Sequence, residues 1–147
     1  MHYKKFIKEL NVKNTDLPVL ASETAVYLEN YLHNLSYEDK AIQYLSRLLD
    51  DATHGKTPLA MEISNNYVLG NAISKTYPDK IETDKEIVLK IRQISKELKN
   101  FKKISQTQQK NLVDFCINLS RELRDYQRQF SFRHHASGRE NRLDNLI

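Results

Sequence analysis

Residues 83–130 read TDKEIVLKIRQISKELKNFKKISQTQQKNLVDFCINLSRELRDYQRQF, and this stretch decides the fold. In its first half Ile87, Ile91, Ile94, Leu98 and Phe101 recur at steps of four, three, four and three. That is the spacing at which one face of an α-helix returns. In its second half Leu112, Phe115/Cys116, Leu119, Leu123, Tyr126 and Phe130 repeat the pattern. Both helices announce their starts. Thr83 with Glu86, and Ser105 with Gln108, have the spacing of a capping box, in which a hydroxyl and a side-chain acceptor three residues on satisfy each other's free backbone N–H groups.

The same punctuation continues towards the N-terminus. Tyr77-Pro78 closes a helix that Thr57-Pro58 opens, because proline fits a first helical turn and restricts the residue before it. Gly55 stops an earlier helix that uses Ile42, Leu45, Leu48, Leu49 and Ala52, with Ser36 and Asp39 at its head. Asp16 and Pro18 open another, carrying Leu20, Tyr27/Leu28, Tyr31/Leu32 and Leu35. Tyr3 to Leu10 forms a short first helix. The expectation is an all-α domain of five to six helices, either an up-and-down bundle or a compact irregular arrangement, since most linkers are very short. From Ser131 the apolar stripe fails. Residues 1–130 are therefore read as the helical domain and 131–147 as a polar, arginine-rich, flexible tail.

Composition agrees with helix. Only three Gly and three Pro occur in 147 residues, too few turn formers for a hairpin-rich sheet protein. The length suits one domain with its own core. A single cysteine, Cys116, excludes an internal disulfide and any multi-cysteine zinc site. Met1 to Leu10 has lysines but no apolar run of seven or more residues, unlike a signal peptide. The longest uncharged stretch, Ile63 to Ser74, is too short to span a bilayer. These features predict a cytoplasmic protein without a membrane span, with signal-independent export left open.

The net charge of +4 is unevenly placed. Residues 1–70 hold seven Lys/Arg against nine Asp/Glu, whereas residues 71–147 hold sixteen against ten. Two rows of cations stand out. Lys85, Arg92, Lys96, Lys99 and Lys103 fall on one face of the helix after Thr83. Arg121, Arg124 and Arg128 share a face of the last helix, and Arg133, Arg139 and Arg142 extend the arginines into the tail. Such rows meet either an acidic protein surface or a phosphate backbone. Glu122, Asp125, Glu140 and Asp144 lie among the arginines, where they are expected to neutralise much of the field.

Candidate chemistry is sparse. Asp50 and His54, like Glu29 and His33, stand four apart, a spacing open to a metal or a general-base pair. The simpler reading of His54 is a helix C-terminal imidazole complementing the dipole. Cys116 lies on the apolar stripe and reads as core. Leu45-Ser46-Arg47-Leu48-Leu49 spells an L-x-x-L-L docking box, but its leucines are those the core needs. Gly70, inside a helix, marks a close crossing. No metal site and no cofactor are expected.

Arg128, followed by His134 and His135, is similar to the arginine–histidine signature of HEPN-type ribonucleases, which are all-helical and cleave RNA. In that family the motif heads a further helix, and only twelve residues, most of them polar, follow His135 here. The resemblance implies RNA cleavage by Arg128 and His134/His135. The leading expectation is different. Without a catalytic signature, the chain reads as a non-enzymatic helical protein–protein interaction module of the adaptor, inhibitor, chaperone or effector type. It would bind an acidic partner through Arg92, Lys96, Lys99, Lys103, Arg121, Arg124, Arg128 and Arg133. RNA or DNA binding is the alternative.

Overall fold

A computed structural model describes residues 17–34, 40–54 and 66–137, with side chains over 17–30, 41–54 and 67–129. Five helices run through these residues: α1 (Leu17–Asn34), α2 (Lys40–Ala52), α3 (Asn66–Thr76), α4 (Asp84–Lys99) and α5 (Gln106–Ser137). No strand occurs among the described residues, so the chain is all-α. The expected helix over Tyr3–Leu10, the cap at Ser36, the stop at Gly55 and the start at Thr57-Pro58 lie outside them.

Both expected capping boxes form. Thr83 Oγ1 accepts from the Glu86 amide at 3.2 Å, and the Glu86 carboxylate accepts from the Thr83 amide at 2.9 Å. The Glu82 amide donates to the same carboxylate oxygen, also at 2.9 Å. These backbone donors hold Glu86 below the usual carboxylate range. Ser105 and Gln108 exchange the equivalent pair at 3.1 and 2.9 Å. Tyr77-Pro78 ends α3 at Thr76, where the sequence places the break.

The apolar stripes interlock into one core. Leu17, Leu20, Ala21 and Leu28 of α1, with Val68, Leu69, Ala72 and Ile73 of α3, pack onto α5. There they meet a surface that includes Leu112, Phe115, Cys116, Leu119 and Leu123. Ile91, Ile94, Ser95 and Leu98 of α4 are buried, and the main partner of α4 is α2, which also touches α1. Although α4 and α5 follow one another across residues 100–105, they make the sparsest of these pairings. Short linkers suggest that successive helices are principal neighbours, but the apolar faces here choose partners two or more helices away. Of the two expected arrangements, this is the compact irregular one. No helix among the described residues is long and apolar enough to cross a membrane.

Candidate functional site

Helices α2 and α4 lie antiparallel, and three cross-links fix their register. Gln43 Nε2 donates to the Lys99 carbonyl at 3.2 Å near one end. Ser46 and Ser95 pair in the buried middle. At the other end Arg92 reaches Thr53 and His54. Along this seam runs an open groove of about 490 Å³, lined by Asp50, His54, Arg92, Ser95, Lys96, Lys99 and Asn100.

His54 touches the α2 backbone through one ring nitrogen and Arg92 through the other. Its Nδ1 lies 2.8 Å from the Asp50 carbonyl, which can only accept. Its Nε2 lies 3.4 Å from an Arg92 guanidinium nitrogen, which can only donate. A proton on Nδ1 and a lone pair on Nε2 is the arrangement that satisfies both contacts. Thr53 Oγ1 donates to the same Asp50 carbonyl at 2.7 Å and accepts from Arg92 Nε at 3.3 Å. His54 and Thr53 thus cap the C-terminal end of α2 and hold Arg92 beside it, where a cation complements the helix dipole.

The sequence candidates sort accordingly. His54 meets the Asp50 backbone carbonyl rather than its carboxylate, so the pair serves as a helix cap. Among the described residues, no group of three or more His, Cys, Asp or Glu side chains could hold a metal ion. Cys116 is fully buried, and desolvation pushes its thiol pKa up, which suppresses the nucleophilic thiolate. Leu45, Leu48 and Leu49 are buried in the core, so the L-x-x-L-L spelling faces inward. The His33 side chain lies outside the described residues.

Arg92, Lys96 and Lys99 come together in the groove, while Lys103 is exposed in the turn that follows α4. Arg121, Arg124 and Arg128 are exposed on α5. At 1.5 Å of rise per residue they lie roughly 22–33 Å along the helix from its start at Gln106. The expected cations therefore divide between two helices, three lining the α2–α4 groove and three exposed on α5.

One expectation about charge needs correction. Glu122 does not temper the arginine face. It is buried, accepts from Asn71 Nδ2 at 3.2 Å and pairs with Lys75 of α3. The hydrogen bond to Glu122 raises the Lys75 pKa. Glu122 borders the apolar stripe at Leu119 and Leu123, and that adjacency is the signal that it turns inward. Asp125 does stay with the arginines, ion-paired to Arg128.

Helix α5 continues through Ser137, so Arg128, His134 and His135 lie on one unbroken helical backbone. In HEPN-type ribonucleases the corresponding motif heads a new helix. The side chains of Arg133, His134 and His135 lie outside the described residues. Comparison with protein families, curated proteins and solved structures finds no match to this chain.

Proposed function

We propose that the chain is a non-enzymatic helical interaction module that binds an acidic segment of a protein partner. The reading rests on one observation. Three cations of α4 converge with the capped end of α2 in a solvent-open groove, and one of them, Arg92, is already held in place. A positioned guanidinium loses less side-chain entropy on binding than a free one. The α5 arginines supply a second patch for the same or another acidic surface.

Affinity purification from the native cell, with nucleic acid digested in a parallel sample, tests this reading. A protein retained after digestion, and lost when Arg92, Lys96 and Lys99 are changed together to Glu, fits the proposal. Retention by that triple variant, with loss only on Arg121→Glu/Arg124→Glu/Arg128→Glu, moves the surface to α5.

Nucleic-acid binding is the second reading, and the inward turn of Glu122 favours it by leaving the α5 arginines less screened. Its mark is affinity for generic nucleic acid that falls steeply with salt. Cleavage that depends on Arg128 and His134/His135 would add the ribonuclease activity.

A further inference from the structure

We infer that the α2–α4 groove recognises a phosphate monoester, a phosphorylated serine or threonine in an acidic segment of the partner. The inference rests on the proposed protein-binding function and names the group that the groove selects.

Arg92, Lys96 and Lys99 line the groove against one acid, Asp50. The result is a surplus of two positive charges, which matches a phosphate dianion better than a lone carboxylate.

Arg92 spends Nε on Thr53 and one Nη2 hydrogen on His54. Its side edge is therefore occupied, and the end-on edge formed by its two terminal nitrogens remains for an incoming group. A guanidinium edge offers paired donors to phosphate oxygens, while lysines act as point charges. Arg92 is thus the anchoring donor, with Lys96 and Lys99, one and two turns further along α4, as the charges that close around the remaining oxygens. The Lys99 end of the groove is fixed by Gln43 donating to its carbonyl and by Asn100 Nδ2 donating to the Lys96 carbonyl at 3.0 Å. Thr53 and His54 are positioning residues that act through Arg92.

The full chain is titrated with a library of acidic peptides carrying phosphoserine at the centre, with the same library carrying serine, with inorganic phosphate, and with single-stranded RNA. Amide shifts at Arg92, Lys96 and Lys99 report where each probe binds. The phosphoserine library is expected to bind at least about tenfold more tightly than the serine library. Arg92→Ala should erase that preference, and Arg92→Lys should restore only part of it because the fork is gone. Thr53→Val should reduce the preference, and Thr53→Ser, which keeps the acceptor, should recover it with unchanged circular dichroism. Equal binding of the two peptide libraries in the groove overturns the phosphate inference while leaving the acidic-partner function standing. Inorganic phosphate binding as tightly as the phosphopeptides shows that a free phosphate is the ligand and overturns the peptide source. Tighter binding of RNA through the same three residues overturns both readings.

Discussion

The Ser46 and Ser95 hydroxyls cross-donate between α2 and α4. Ser46 Oγ donates to the Ser95 carbonyl and Ser95 Oγ to the Ser46 carbonyl, both at 2.8 Å, with the hydroxyl oxygens 3.1 Å apart. Both residues are buried, and their small side chains let the two helices approach closely enough to frame the groove. Either Ser→Ala change should cost about 1 kcal/mol, the usual net worth of one hydrogen bond. Ser46→Val should cost a further ~1–3 kcal/mol because the seam has no room for the added carbons. Urea unfolding measures both, and a valine variant no worse than the alanine one would show that the crossing is loose.

The Glu122–Lys75 pair predicts an asymmetry. Glu122 is buried, but Lys75 is largely exposed and returns to water if its partner is removed. Lys75→Ala leaves a buried carboxylate with Asn71 as its remaining donor, the costly way to break such a pair. Lys75→Ala should therefore lower the Tm by several degrees and Glu122→Gln by less. The reverse order would mean that Glu122 gains its stability from something other than Lys75.

Gly70 is a milder crossing than its place inside a helix suggests. A Cβ built there meets the Cδ1 tip of Ile87 at 3.3 Å, a tight contact that requires the neighbour to give slightly. Ile87 is half-buried, so its tip can shift by a few tenths of an ångström. The helix-propensity gain should then win, and Gly70→Ala should stabilise by up to ~0.5 kcal/mol, less than the full effect at an open site. Adding Ile87→Val removes the contact and should not enlarge the gain beyond ~1 kcal/mol. A fall in Tm for Gly70→Ala alone would show that Ile87 is pinned.

Much of this architecture was legible in residues 83–130, because capping boxes and apolar stripes are local signals. Thr83/Glu86, Ser105/Gln108 and Tyr77-Pro78 sit at helix ends because each depends on neighbours within four residues. The pairing of α2 with α4, and of α3 with α5, depends on how whole faces fit, and linker length does not carry that information. The site divides in the same way. Arg92, Lys96 and Lys99 were visible as a periodic row, and His54 as a helix-end imidazole. Their meeting across 38 residues of sequence was not visible. Glu122 follows the same division: it stands beside the stripe in the sequence, but Asn71 and Lys75, which hold it inward, come from α3.

Buried ionisable groups predict how the protein responds to alkali. Burial raises the Cys116 thiol pKa above its ordinary 9.0, and Tyr44 and Tyr77 above their ordinary 10.0. A raised folded pKa means that the unfolded chain loses its proton first, so the native state holds more protons and stability falls as pH rises. The loss should begin near pH 9, at about 1.4 kcal/mol per pH unit from Cys116 alone, and steepen above pH 10 as the tyrosines join. Cys116→Ala is expected to lower stability at neutral pH by opening a small cavity, yet to flatten the slope between pH 9 and 10. An unchanged slope in urea titrations of that variant would remove the thiol from the explanation.

Truncation tests the boundary at Ser131. Among the described side chains of α5 the last fully buried one is Leu123, and Tyr126 packs partly against the core, while Arg128 and Gln129 are exposed. The helical backbone nevertheless continues to Ser137. A chain ending at Phe130 keeps every described core side chain and should lose no more than ~1 kcal/mol if the residues after it contribute only helix propensity. It also loses Arg133, His134, His135, Arg139 and Arg142. If the groove is the working surface, partner binding should persist at near full strength, because Arg92, Lys96, Lys99 and their supports are untouched. Binding that disappears with a folded core would instead assign recognition to the arginines beyond Phe130. Unfolding of the truncated chain would show that residues 131–147 belong to the domain.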